Sequence, residues 1–254
     1  MIRLVLVVLF LLLFFLVSIP VLIAERVVSL FKPAFRKRPF VFSFVTSGFR
    51  CVAFLSGVRL KVIGRDRIPK NEAVLYIGNH QSYFDIVITY GLMPDFTGFV
   101  AKNGMLKVPV LASLMRYMNC LFLDRDDIRQ GMQTILSAID LIQEGISVCI
   151  YPEGTRNHHP DTFLEFHKGS FKIAQRTDCP VVPVTVVNTR NIFEAHMPFI
   201  RACDVILEYG EPFRFSDLSE EDRKTIHTYT AGLIEETYRK NKAAAALVSQ
   251  ADAG

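Results

Sequence analysis

Leu4 to Ala24 reads LVLVVLFLLLFFLVSIPVLIA, without a single charged side chain. As a helix rising 1.5 Å per residue it would be about 31 Å long, close to the thickness of a bilayer's hydrocarbon core. Such a stretch calls for lipid or a protein surface along its length, so it constrains the chain more than any other segment. Arg3 alone flanks one end, whereas Arg26, Lys32, Arg36, Lys37 and Arg38 follow the other. That asymmetry places the bulk of the chain in the cytoplasm, with a membrane anchor in front of it. The same cations can hold anionic headgroups. A cleaved secretory signal is the competing reading, but the apolar run is longer than a usual signal core and no A-x-A site follows.

Phe40 to Leu60 is apolar but interrupted by Ser43, Thr46, Ser47 and Arg50, which suits an interfacial or re-entrant helix better than a second span. Residues 1–57 are therefore expected to form an anchor and interfacial region, and residues 58–254 a catalytic domain. With 254 residues, half of them hydrophobic, one sizeable core is available and any further domain would be small. The formal net charge of +4 is not gathered on one helix and gives no support to nucleic-acid binding. The five cysteines are odd in number and contain no C-x-x-C pair, which fits reduced thiols and argues against a structural zinc.

Beyond Leu60 short β-branched runs alternate with helical periodicities. The strand candidates are Val58–Ile63, Ala73–Ile77, Phe96–Ala101, Cys120–Leu123, Ser147–Tyr151, Val181–Val187 and Val205–Glu208. Ile128, Met132, Ile135, Leu136, Ile139 and Ile142 recur at helical spacing, with Gly145 where a C-terminal cap belongs. Ser219 can cap a last helix running towards Arg239, after which the Ala-rich remainder is expected to fray. The fold class is α/β: a mixed, largely parallel sheet flanked by helices, carrying an N-terminal hydrophobic membrane-anchoring helical region.

The strand Ala73–Ile77 runs into Gly78-Asn79-His80-Gln81-Ser82-Tyr83-Phe84-Asp85. Five residues along a helix turn it by about 140°, so His80 and Asp85 cannot share a helical face. His80 must precede the helix, Ser82 can cap it, and Asp85 then falls at the third helical position, where a carboxylate meets free backbone amides. Asp85 can hold one ring nitrogen of His80 and leave the other to take a proton. Such a dyad has no nucleophile of its own, so the substrate hydroxyl would attack directly. A His and an Asp at a helix start are also common structural capping, and the pair alone does not decide.

Ser147–Tyr151 leads into Pro152-Glu153-Gly154-Thr155-Arg156, a turn whose glycine lets backbone approach a ligand and whose arginine can grip phosphate with two parallel hydrogen bonds. Arg125 follows another buried-looking strand and could reach the same sheet edge, or could pair with Asp124, Asp126 or Asp127 on the surface. His158, His159, Asp161 and His167 match no familiar metal-ligand spacing, and no metal site is assigned. Gly169-Ser170 lacks the context of a nucleophile elbow.

Taken in order, His80 to Asp85, Arg125, the YPEGTR segment and Cys179-Pro180-Val181-Val182-Pro183-Val184 resemble the four motifs of the 1-acylglycerol-3-phosphate acyltransferase family. The resemblance covers roughly residues 58–209. It implies that His80 is the base, that Asp85 orients it, and that Arg125 and Arg156 hold the acceptor phosphate. Asn79, Glu153, Gly154 and Thr155 would line the substrate site. Lys102 would neutralise an oxyanion, and Lys168 would match the basic residue after the third motif. Tyr151, Asn157, Asn119 and Gly104 depart from the family pattern without removing a reacting group.

The activity implied is transfer of a fatty acyl group from acyl-CoA or acyl carrier protein to the free hydroxyl of 1-acyl-sn-glycerol 3-phosphate, forming phosphatidic acid in phospholipid biosynthesis, with no cofactor. Glycerol 3-phosphate or another lysolipid would be an alternative acceptor. A catalytically silent lipid-binding protein is the reading from a different class, against which the intact His80, Asp85, Glu153 and Arg156 weigh.

Overall fold

The computed structural model describes residues 1–31, 36–124, 127–159 and 162–251. Helices α1 (Ile2–Phe31) and α2 (Pro39–Leu55) precede β1 (Val58–Ile63). Then come β2 (Leu75–Gly78), α3 (Tyr83–Leu92), β3 (Thr97–Lys102), α4 (Pro109–Tyr117), β4 (Leu121–Leu123), α5 (Ile128–Gln143) and β5 (Ser147–Ile150). The chain finishes with α6 (Lys172–Thr177), β6 (Val181–Val187), β7 (Cys203–Tyr209), α7 (Glu220–Lys224) and α8 (Ile226–Ala251).

The seven strands form one sheet in the order β1-β7-β6-β2-β5-β3-β4. From β6 to β4 all neighbours are parallel; β7 runs against β6, and β1 lies parallel to β7. The mixed, mostly parallel sheet is as the residue pattern predicts, and a run such as Val181–Val187, apolar but for Thr185, is buried throughout because helices cover both faces. Strand alternation sorts the core. Val74 and Tyr76 belong with Val41, Val45, Phe84, Ile88 and Leu114 of α2, α3 and α4. Leu75 and Ile77 point the other way, to Ala138, Leu141, Ile173 and Ile234 of α5, α6 and α8.

α1 is long and apolar enough to cross a membrane, yet one side of it is committed to protein. The rings of Phe14 and Phe44 stack at 4.6 Å, and Phe14 sits over Gly48 of α2, where any Cβ would collide with the ring. Further along, Glu25 and Arg38 form a buried ion pair at 3.1 Å. The other side exposes Leu9, Leu12, Leu13 and Leu16. At the far end of the chain two expectations are corrected. The helix capped by Ser219 breaks at Thr225 before α8 begins, and the alanines expected to fray continue as helix to Ala251.

Candidate active site

Three adjacent strands, β6, β2 and β5, end at the same edge of the sheet, and the residues just beyond them build the site. Crevices outside the carboxyl ends of parallel strands are where such folds bind ligands. β2 passes through Gly78, where a Cβ would stand 2.8 Å from the Tyr151 ring. Only glycine lets the strand end lie this close to that aromatic. Asn79 follows, wholly buried, donating to the carbonyl of Val186 at 3.0 Å and accepting from its amide at 2.9 Å. Both ends of its amide are thereby spent tying β2 to β6, so it stands behind the dyad and does not face an open site.

α3 starts as the sequence requires. Ser82 is the N-cap, its hydroxyl accepting from the amide of Phe84, and Asp85 at N3 closes a capping box. Asp85 is fully buried and its Oδ2 accepts from the amides of Gln81 (2.6 Å) and Ser82 (2.7 Å) and meets His80 Nδ1 at 2.9 Å. Thr189, two residues past β6, donates to the other oxygen at 2.5 Å. With Asp85 accepting from Nδ1, the proton of a neutral His80 resides there and Nε2 keeps its lone pair. The ring is 14% exposed, so that lone pair can reach a substrate. Its face is fixed by stacking on Tyr151 at 4.5 Å and 19°.

The β5 turn fastens the same loop from below. Glu153 Oε1 accepts from the His80 amide at 2.7 Å, and the Asn157 amide donates to the His80 carbonyl at 2.7 Å. Glu153 is buried, and desolvation lifts its carboxyl from 4.5 to about 7, with the nearby Asp85 adding to the rise. Gly154 takes φ +71°, the left-handed conformation that turns the chain out towards Thr155, which is exposed. Arg156 lies over the Tyr83 ring, its guanidinium carbon 3.7 Å from the centroid, donates to the Tyr83 hydroxyl at 3.1 Å and approaches Glu194 at 3.5 Å. Glu194 itself accepts from Ser82 Oγ at 2.7 Å and from the Tyr83 amide at 2.8 Å.

Lys102 ends β3, the strand beside β5, and so reaches the same edge with an exposed side chain. Lys168 is exposed at the start of a short 3-10 turn, and no hydrogen bond or ion pair joins it to His80 or Glu153 among the described residues. Arg125 lies outside the described residues.

Two of the departures from the family pattern have a visible use. Tyr151 stacks on the histidine, and Asn119 adopts φ +58°, a conformation that asparagine tolerates nearly as glycine does. Thr189, Glu194 and the Asn157 amide were not singled out from the sequence. Thr189 had a usable signal, a hydroxyl just past a strand that ends at the site edge, whereas Glu194 sits in an irregular segment with none.

A base held in one tautomer, with an arginine anchored nearby at the mouth of a sheet edge, suits proton removal from a hydroxyl on an anionic molecule. Comparisons with known proteins agree. The acyltransferase family model matches residues 59–187. The chain is 32% identical over 174 residues to the 1-acyl-sn-glycerol-3-phosphate acyltransferase of Borreliella burgdorferi, covering 68% of this chain and 69% of that one. Against its Saccharomyces cerevisiae counterpart the identity is 29% over 176 residues, covering 68% of this chain and 57% of that one. The crystal structure of the 1-acyl-sn-glycerophosphate (LPA) acyltransferase PlsC from Thermotoga maritima matches with a TM-score of 0.70 at 25% identity, over 95% of this chain and 98% of that one. The chain is thus an enzyme, and it belongs to the 1-acylglycerol-3-phosphate acyltransferase family.

Proposed function

We propose that this enzyme transfers a fatty acyl group from a thioester donor, acyl-CoA or acyl carrier protein, to the free hydroxyl of 1-acyl-sn-glycerol 3-phosphate, giving phosphatidic acid. The observation that carries the reading is the free Nε2 of His80. Among the described residues no serine or cysteine side chain bonds to it, so the hydroxyl it deprotonates belongs to the substrate. The alkoxide oxygen attacks the thioester carbonyl carbon, the C–S bond breaks as the tetrahedral intermediate collapses, and the proton on His80 passes to the departing thiolate. Lys102 is the cation at this edge suited to the transient oxyanion.

Arg156 supports a phosphate-bearing acceptor. Its guanidinium is stacked on Tyr83 beside the start of α3, and bidentate contact with phosphate exploits that planar geometry. Arg125 and Lys168 would add charge around the same headgroup.

α1 supports a membrane location for the reaction. Because its inner side is packed on α2 and α4, while its outer side exposes leucines, it suits a position along one leaflet with the domain held at the surface. The basic residues Arg26 to Arg38 favour the cytoplasmic face. A mass-spectrometric transfer assay on the purified full chain tests the reading, using both donor types and a panel of lysolipid acceptors with glycerol 3-phosphate. Formation of phosphatidic acid from lysophosphatidic acid is expected; transfer only to other acceptors would refute the substrate assignment.

A further inference from the structure

At the opposite edge of the sheet, where the parallel strands begin, lies a pocket of about 380 Å³ that the dyad does not touch. Arg36, Arg38, Arg116, Tyr117 and Asn119 line it, with Leu121 and Phe122 of β4 as its apolar floor. We propose that this pocket binds the phosphate group of a membrane phospholipid, separately from the catalytic site.

The pocket is assembled from elements distant in the chain. Arg36 and Arg38 come from the segment entering α2, and Arg116 from the last turn of α4. Asn119, in its left-handed conformation, donates to the carbonyl of Arg36 at 3.1 Å and so fastens that segment against the pocket wall. Arg38 is fixed by its buried pair with Glu25 and faces the Tyr117 ring at 5.6 Å. Arg36 meets Glu144 at 3.1 Å, but both side chains are about half exposed and such a pair is weak enough to yield to a stronger anion. The Arg116 guanidinium forms no hydrogen bond or ion pair among the described residues. Among the described residues, Arg36 and Arg38 each meet a carboxylate, whereas the Arg116 guanidinium has none of its own on this concave surface.

What surrounds the pocket identifies the source of the phosphate. Arg38 is bonded to Glu25 of α1, and the next turns of α1 expose Val27, Val28, Leu30 and Phe31. An anion site beside an exposed apolar strip has the chemistry of a phospholipid, headgroup in the pocket and chains along the helix. A soluble phosphate would use the guanidiniums and gain nothing from the strip.

The test is native mass spectrometry of the detergent-solubilised full chain with added phosphatidylglycerol or phosphatidylcholine. Wild type should retain phosphatidylglycerol in preference. Arg116→Ala should weaken that retention roughly fivefold, the effect of about one cation at an anionic lipid surface, and should weaken retention of phosphatidylcholine less, because its choline offsets the charge of the phosphate that both lipids carry. Arg116→Lys should restore it only in part, because it keeps the charge but a point charge lacks the fork. Since Arg116 gives up no partner, both variants should melt with wild type. Full restoration by Arg116→Lys, or unchanged retention in Arg116→Ala, would overturn the site. Titration of inorganic phosphate at millimolar concentration separates the two sources: Arg116-dependent heat there would assign the pocket to a soluble anion and overturn the lipid.

Discussion

Thr189 donates its hydroxyl to the Asp85 oxygen that His80 leaves unused. The buried carboxylate thus has donors on both oxygens, from the loop, the helix start and the end of β6. Thr189→Val should strip one of them and leave a buried acceptor unsatisfied, at about 1–3 kcal/mol of stability. If Thr189 orients the dyad, turnover should fall about tenfold, equivalent to about 1.4 kcal/mol, with little change in either KM, and Thr189→Ser should recover most of it. Steady-state kinetics beside thermal melts would check this; a loss of stability with undiminished turnover would leave Thr189 a purely structural role.

His80→Ala should cost roughly 10²–10⁴ in rate, the usual worth of a general base. The fold should survive, because Glu153 and Asn157 hold the loop through backbone atoms of residue 80 that alanine keeps. Asp85→Asn should also lose rate through a misdirected imidazole, with some loss of stability from the altered helix start. Transfer assays on membranes carrying each variant at matched abundance measure both, and wild-type turnover in His80→Ala would end the proposed mechanism.

For Arg156→Ala the expected change is a raised acceptor KM with the donor KM intact, and Arg156→Lys should recover only part of it. Glu194→Gln should act in the opposite direction. It removes the carboxylate that shares Arg156, while its amide oxygen can still accept from Ser82 or Tyr83. The acceptor KM should then fall severalfold. A donor-side effect from either arginine variant would move this turn to the thioester site.

The sequence made the dyad legible because its reasoning was local: 100° per residue excluded a shared helical face, and the cap at Ser82 with Asp85 at N3 is as that geometry requires. Val58–Ile63 and Val181–Val187 are recovered residue for residue, since each is bounded by strong turn formers. What stayed hidden depends on contacts between distant segments. Thr189 is 104 residues from Asp85 and Glu194 is 112 from Ser82, and no periodicity encodes either meeting. The break at Thr225 is a different case, for it opens a run of weak helix formers, Thr225 to Thr230, and so had a local signal.

Glu153 makes a pH-dependent contribution whose sign follows from its environment. Its folded carboxyl titrates at about 7 against an ordinary 4.5, so the native state holds a proton that the unfolded chain releases. Stability should therefore decline as pH rises from about 4.5 to about 7, and the full cost, about 3 kcal/mol, should stand above that range. Glu153→Gln keeps an acceptor for the His80 amide but carries no charge. It should melt like wild type near pH 4 and higher than wild type at pH 8. An equal effect at both pH values would mean that the burial of this carboxyl is not what shifts it.

The pairing of β1 with β7 bears on how such a molecule is made. β1 is the first strand to leave the ribosome, and its partner across the register from Val58 is Cys203. Until most of the polypeptide exists, Leu60 and Val62 have no strand to join, while α1 and its exposed leucines are already made. Synthesis therefore passes through a stage in which the long apolar helix is complete and the sheet is still open. The closing step brings in β7, pairing it with β6 on one side and β1 on the other. A chain cut short before residue 203 would keep its apolar helix and leave its first strand unpaired, a substrate for quality control instead of a smaller enzyme.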